Sequence, residues 1–259
     1  MPAYPWQELI ILSIAGLLGI LAELPRLQEA GRARFGELRL SPALIALALF
    51  AQAAVIYLLA LAFGLLPAAQ LGVGALWLRA WLGGNALPAG WPTTAGLVLA
   101  GGFLLGLLLA WLACVSFPKV DARLREVEAR SPAWKGLLSA LSTLPEEVSL
   151  RLFLCTLVVW LLGWFWQDAA GAPAQGAWLV GISLAAFGSG LNQLLTAGLR
   201  LSMSAALIAR VLLPQMAAGW FFGWVYWQFG LEAAALAHLG FEAAWFALTR
   251  LTTPRAAAG

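Results

Sequence analysis

Pro145-Glu146-Glu147-Val148-Ser149-Leu150-Arg151 opens an apolar run that continues to Trp166. Glu147 and Arg151 stand four residues apart, so a helix carries both on one face as an ion pair. Glu146 points about 100° away from its neighbour and is left without that partner. A carboxylate in a dehydrated pocket, beside an arginine that does not bind it, has the chemistry of a general base acting on water. A purely structural reading competes. Thr143-Leu144-Pro145-Glu146 has the form of a capping box, with proline early in the first turn and acids favoured by the helix dipole. Capping explains one glutamate easily and Arg151, one turn deeper, less easily. An acid or arginine at the centre of a membrane helix costs roughly 2.5–3.5 kcal/mol.

A second cluster is Ala237-His238-Leu239-Gly240-Phe241-Glu242, which holds the only histidine in the chain. His238 and Glu242 are four apart and share a face. The imidazole there could donate to a developing oxyanion, ligate a metal or relay a proton. The plainer reading is a buried His–Glu bond that ties helices together. A third stretch, Phe187-Gly188-Ser189-Gly190-Leu191-Asn192-Gln193, combines glycines suited to close helix approach with amides at a depth comparable to Glu146 and Glu147. Arg210 is expected to snorkel inward, with pairing to a buried acid as the alternative. Gly219-Trp220-Phe221-Phe222-Gly223 has the spacing of helix packing and is read as that only.

These residues must be held by helices that lie in a bilayer. The chain is 62% hydrophobic and 10% charged, against about 25% charged in a soluble domain. Apolar stretches near 6–24, 41–66, 93–115, 146–166, 176–197, 203–227 and 231–250 predict an all-α, polytopic bundle of about seven spans. No ten-residue alternation of a barrel is present. Residues 71–82 are expected to be re-entrant or interfacial, and 119–136 to form an amphipathic helix at the cytoplasmic surface. Residues 1–138 read as N-terminal spans and 139–250 as the core that carries the polar clusters, in one integrated membrane domain.

Basic residues fix an expected orientation. Arg26, Arg32, Arg34 and Arg39 fall in the first connection, Lys119, Arg123, Arg125, Arg130 and Lys135 in the third, and Arg200, Arg250 and Arg255 after the fifth and seventh spans. The second, fourth and sixth connections hold only Arg79. The positive-inside rule then places the N-terminus outside and the C-terminus in the cytoplasm. Trp6, Trp77, Trp81, Trp91, Trp164, Trp166, Trp178, Trp224 and Trp227 are expected near the outer interface, as an aromatic belt. The net charge of +3 is a topological signal, so nucleic acid is not an expected partner; membrane lipids are. The first span is expected to stay uncleaved, because Glu8 stands at its start and the basic cluster follows it. Cys114 and Cys155 sit alone in spans and suggest neither a disulfide framework nor a zinc spacing.

Taken together, three stretches resemble the CPBP family, the CaaX-protease and bacteriocin-processing (Abi) membrane proteins, which implies a prokaryotic cell membrane as the setting. The family's first motif, two glutamates, three residues and an arginine, matches in full at Glu146, Glu147 and Arg151. Its third motif, a histidine followed four residues on by asparagine or a similar polar residue, is met in part by His238 and Glu242. The stretch Leu213 to Trp245 is similar to the segment leading into that motif, and the likeness covers roughly Ser139 to Ala247. The middle motif departs: the family has a histidine four residues after a phenylalanine, and four residues after Phe187 stands Leu191, with Asn192 next to it.

The resemblance implies an intramembrane endopeptidase acting on a membrane-associated peptide or protein. Glu146 would activate water, Glu147 with Arg151 would be the structural pair, and His238 would stabilise the oxyanion. Asn192 would serve in place of the missing histidine only if a π-bulge turned it to the right face. Glu242 would donate only if protonated. The cofactor is left open between a divalent metal such as zinc on Glu146, His238 and Glu242 and a glutamate-activated water with no metal. The alternative is a catalytically impaired CPBP-fold scaffold, or an immunity or envelope-regulation protein. A Ser189–His238 dyad and a proton or metal pathway through Glu146, Asn192, His238 and Glu242 are further options on the residues alone.

Overall fold

A computed structural model describes residues 4–25, 41–129, 141–198 and 201–252. Helices account for nearly all of it: α1 Trp6–Ala22, α2 Pro42–Gln70, α3 Leu76–Leu82, α4 Trp91–Ser116 and α5 Pro118–Ala129. Next comes α6, which runs through Thr143–Glu147, a π-helical Val148–Cys155 and Thr156–Leu162. It is followed by α7 Gln175–Gly198, α8 Ala205–Phe229 and α9 Leu231–Thr252. Among the described residues the only strand-like feature is an isolated bridge between Gln167 and Pro173. The helices α2, α4, α7, α8 and α9 are each long and apolar enough to cross a membrane. The chain is therefore an integral membrane protein built from helices, whose backbone groups are satisfied internally where no water is present.

Local chemistry sets the helix starts. Ser41 accepts a hydrogen bond from the Leu44 amide at 3.2 Å ahead of Pro42, and Ser204 accepts one from Leu207 at 3.2 Å. The box expected at Thr143 does not form. Thr143 already lies inside the first turn of α6, Ser142 makes no side-chain cap, and the Glu146 carboxylate turns elsewhere. The fourth apolar stretch leaves the helix at Leu162, earlier than the expected Trp166, and the Trp166 carbonyl accepts from Ala174 in a tight loop. The amphipathic helix is present as Pro118–Ala129, and the rest of its expected length lies outside the described residues, as do most of the basic residues that set the orientation.

Packing inside lipid rests on close backbone approach, since lipid is as apolar as the helix faces. A Cβ on Gly102 of α4 would fall on the Ala237 carbonyl oxygen of α9, and one on Gly240 of α9 would fall on the Leu99 carbonyl oxygen of α4. This reciprocal contact brackets His238. Gly219 and Gly223 of α8 meet Ala186 and Ile182 of α7 in the same way, at 2.7 and 2.8 Å, so the expected packing role holds. The main core cluster runs from Leu12 and Ile20 through Leu61, Leu65 and Leu152 to Phe222 and Phe241, and a smaller one gathers Leu194, Leu207 and Val211.

At the end of the bundle where α8 turns into α9, the stretch from Leu71 into α3 folds over the helix ends. Val73 and Ala75 are buried, and the Leu231 amide donates to the Gly74 carbonyl at 2.8 Å. Gly74 and Gly230 have φ of +100° and +90°, a backbone that glycine adopts without strain. Arg79 of α3 clasps Glu8 of α1 through two hydrogen bonds of 2.8 and 3.1 Å. That hydrogen bond raises the Arg79 pKa further above its ordinary value. Glu232 at the start of α9 accepts from the Leu78 amide at 2.8 Å.

Candidate functional site

The motif of α6 straddles the entry to the π-helical turn, with Glu146 and Glu147 in the α-helical turn before it and Arg151 inside it. A π-turn closes i→i+5 bonds, widens the helix and re-aims the side chains it carries. The Thr156 hydroxyl donates to the Arg151 carbonyl oxygen five residues back at 2.8 Å, and pairs with the Tyr226 hydroxyl of α8 at 2.7 Å. So α8 braces the irregular turn from outside. The bulge thought necessary in the fifth apolar stretch is absent from α7, which is regular from Gln175 to Gly198, and is found in α6 instead.

Glu147 and Arg151 form the expected pair, 3.1 Å apart and both fully buried. Arg151 also donates to the Gly219 carbonyl oxygen of α8 at 3.3 Å, and its guanidinium lies 5.5 Å over the Phe222 ring. Phe222 stacks in turn on His238, with ring centroids 4.7 Å apart and planes at 17°. His238 Nδ1 sits 2.8 Å from Glu147 Oε1. Glu147 Oε1 also faces the Arg151 guanidinium and is placed to accept, so Nδ1 carries a hydrogen. The second face of the imidazole, Nε2, lies 3.8 Å from Glu242.

Glu146 diverges from its neighbour as the helical spacing requires. It is half-buried, and one of its oxygens accepts the Ser189 hydroxyl of α7 at 2.7 Å. Three helices thus bring together Glu146, Glu147 and Arg151 from α6, Ser189 from α7, and His238 and Glu242 from α9. The site holds more polar groups than its bonds use. Glu147 Oε2, Arg151 Nε and Arg151 Nη1 are buried without a hydrogen bond. Such a pair is costly to bury and strongly destabilising to half-remove.

Asn192 does not join this group. It is exposed, on a different face of α7, and Leu191 beside it is 40% exposed. Ser189, three residues earlier and buried, occupies the inward position instead. The serine–histidine dyad is not formed either, because Ser189 bonds Glu146 and His238 bonds Glu147. No group of three or more His, Cys, Asp or Glu side chains among the described residues is placed to hold a metal ion. Glu146, His238 and Glu242 therefore do not make a ligand set.

Arg210 corrects a further expectation. It does not snorkel. Its Nε donates to Asp121 of α5 at 2.9 Å, its Nη2 meets the same oxygen, and its guanidinium lies 5.0 Å from the Trp245 ring centroid. Asp121 was hidden among the mixed charges of the amphipathic stretch. Phe222 and the Gly219 carbonyl were equally hidden, inside a segment that reads as packing alone.

No family model, curated protein or solved structure matches this chain. The site's own geometry therefore carries the functional argument.

Proposed function

We propose that this protein is an intramembrane peptidase of the CPBP type, hydrolysing a membrane-associated peptide with water activated by Glu146. The observation that carries this reading is the unequal use of the two glutamates. Glu147 is spent on Arg151 and His238, whereas Glu146 is held by a single Ser189 bond and keeps a carboxylate edge for water. Glu146 takes a proton from water, and the resulting hydroxide adds to the scissile carbonyl carbon. In this step His238 carries a hydrogen on both ring nitrogens, so the oxyanion accepts from Nε2–H while Nδ1–H stays on Glu147. Glu146 then returns its proton to the leaving amine as the C–N bond breaks. Glu242 faces the same imidazole edge and helps orient it.

In this reading α1, with 17 residues, and α6, from Thr143 to Leu162, cross the bilayer beside the five longer helices, giving seven spans. An odd count puts the termini on opposite sides, in keeping with the positive-inside pattern of the connections. The likeness at Glu146, Glu147, Arg151 and His238 supports a prokaryotic cell membrane as the setting.

One observation favours the scaffold reading. The family's middle histidine has no counterpart, and Ser189 at the inward position holds Glu146 without being able to take up its proton. The test is cleavage of a membrane-anchored peptide library by purified protein in proteoliposomes, read by mass spectrometry. The peptidase cuts, and Glu146→Ala abolishes cutting. Cleavage that persists in Glu146→Ala defeats the assigned role, and no cleavage by the unaltered protein, with Glu146→Ala and His238→Ala silent in the cell, favours the scaffold.

A further inference from the structure

Gln52 stands in the middle of the exposed face of α2, with Ala48 and Ala51 before it and Val55, Ile56 and Leu59 after it. The opposite face, with Ala54, Tyr57 and Leu61, is buried against the bundle. The 29 residues of α2 extend about 44 Å, more than the roughly 30 Å of hydrocarbon, so its midpoint near Ile56 lies at the bilayer centre. Gln52 is then about 6 Å from the centre and about 9 Å inside the boundary. A side chain of two methylenes cannot carry its amide to the headgroups as a lysine stem does.

The amide makes no hydrogen bond among the described residues, whereas those of Gln70 and Gln167 do, to Trp160 at 2.7 Å and to the Gly163 carbonyl at 2.8 Å. Gln215 near the middle of α8 makes none either, but it is half-buried within the bundle and does not face lipid as Gln52 does. Asn192, another exposed amide, lies within two turns of the end of α7. Facing hydrocarbon, an unpaired amide loses several kcal/mol relative to water. A partner is therefore required at the depth of Gln52.

We propose that a second copy of this chain covers that face, with Gln52 paired to Gln52 across a two-fold axis between two α2 helices. The amide both donates and accepts, so an identical side chain opposite closes two hydrogen bonds at once. No charged residue occurs in α2, so the face presents nothing for a charged partner helix to neutralise. Ala48 and Ala51 beside the amide let the two backbones come close enough for the pair to form. The contact is separate from Glu146 and His238, and it does not depend on hydrolysis.

The experiment is subunit counting of the full chain in liposomes across a range of protein-to-lipid ratios, combined with bis-maleimide cross-linking of Gln52→Cys. The unaltered chain, which carries Cys114 and Cys155, is the cross-linking background. Dimers are expected, Gln52→Leu should weaken association about 3- to 30-fold, and Gln52→Asn should retain most of it. Gln52→Cys should cross-link to a dimer and Leu104→Cys on α4 should not. Melting temperature in detergent monitors folding, and a lipid-facing change should leave it unmoved. A monomer at every ratio overturns the proposal, as does a dimer indifferent to Gln52→Leu or a cross-link from position 52 only to a different protein.

Discussion

The outer clasp and the inner cluster use the same kinds of residue to opposite ends. Outside, Arg79 meets Glu8 through two short hydrogen bonds, and its side chain is 34% exposed. One acid balances one base, and α3 is fastened to α1. Inside, Glu147 and Arg151 are wholly buried, an imidazole also bonds Glu147, and a second carboxylate stands one residue away on a serine. Several buried atoms there lack hydrogen bonds. A fastening needs none of that surplus. The comparison separates a pair that joins helices from a cluster that keeps groups in reserve, and it locates the reserve at Glu146.

The largest effect should come from halving the buried pair. Arg151→Met leaves Glu147 without its counter-charge in a dry site, and a loss of roughly 3–5 kcal/mol is expected, read as a fall in melting temperature or in yield of folded protein. Arg79→Met removes a half-exposed partner but leaves the buried Glu8 carboxylate with its two hydrogen bonds gone, and should cost less, about 1–2 kcal/mol in the same assay. Equal losses at the two sites would erase the contrast.

Between these lies Gly102→Leu. Its side chain would strike the Ala237 carbonyl and push α9, with His238, away from α6. A cost of about 1–3 kcal/mol is expected, together with loss of activity. Gly96→Leu on the same helix, where a Cβ meets nothing within 4 Å, should do neither. The smallest effect should follow Ser189→Ala. It frees Glu146 of its one hydrogen bond, and turnover should drop about tenfold while melting temperature stays within a degree or so. Unchanged turnover would show that Ser189 does not position the carboxylate.

The sequence announces the helices because burial in lipid imposes long apolar stretches, and α2, α4, α7, α8 and α9 all fall where hydropathy puts them. The Glu147–Arg151 pair was equally legible, since four-residue spacing is enough to define it. Ser189 was harder to read than Asn192, because composition marks the more polar residue while the turn of α7 decides which one faces inward. The π-turn of α6 left no compositional trace; it depends on Thr156 and Tyr226, which are seventy residues apart. Arg210 and Asp121 were both visible as charges, but their meeting is a tertiary fact that no local pattern encodes.

The account assigns work to Glu146 and support to Glu147, and a paired comparison of Glu146→Gln and Glu147→Gln tests that division most directly. Peptide turnover in proteoliposomes and thermal melting would be measured on the same preparations. Glu146→Gln should lose at least about 100-fold in turnover with its melting temperature intact, and Glu147→Gln should lose stability. An active Glu146→Gln, or a Glu146→Gln that unfolds while Glu147→Gln stays folded, would contradict it.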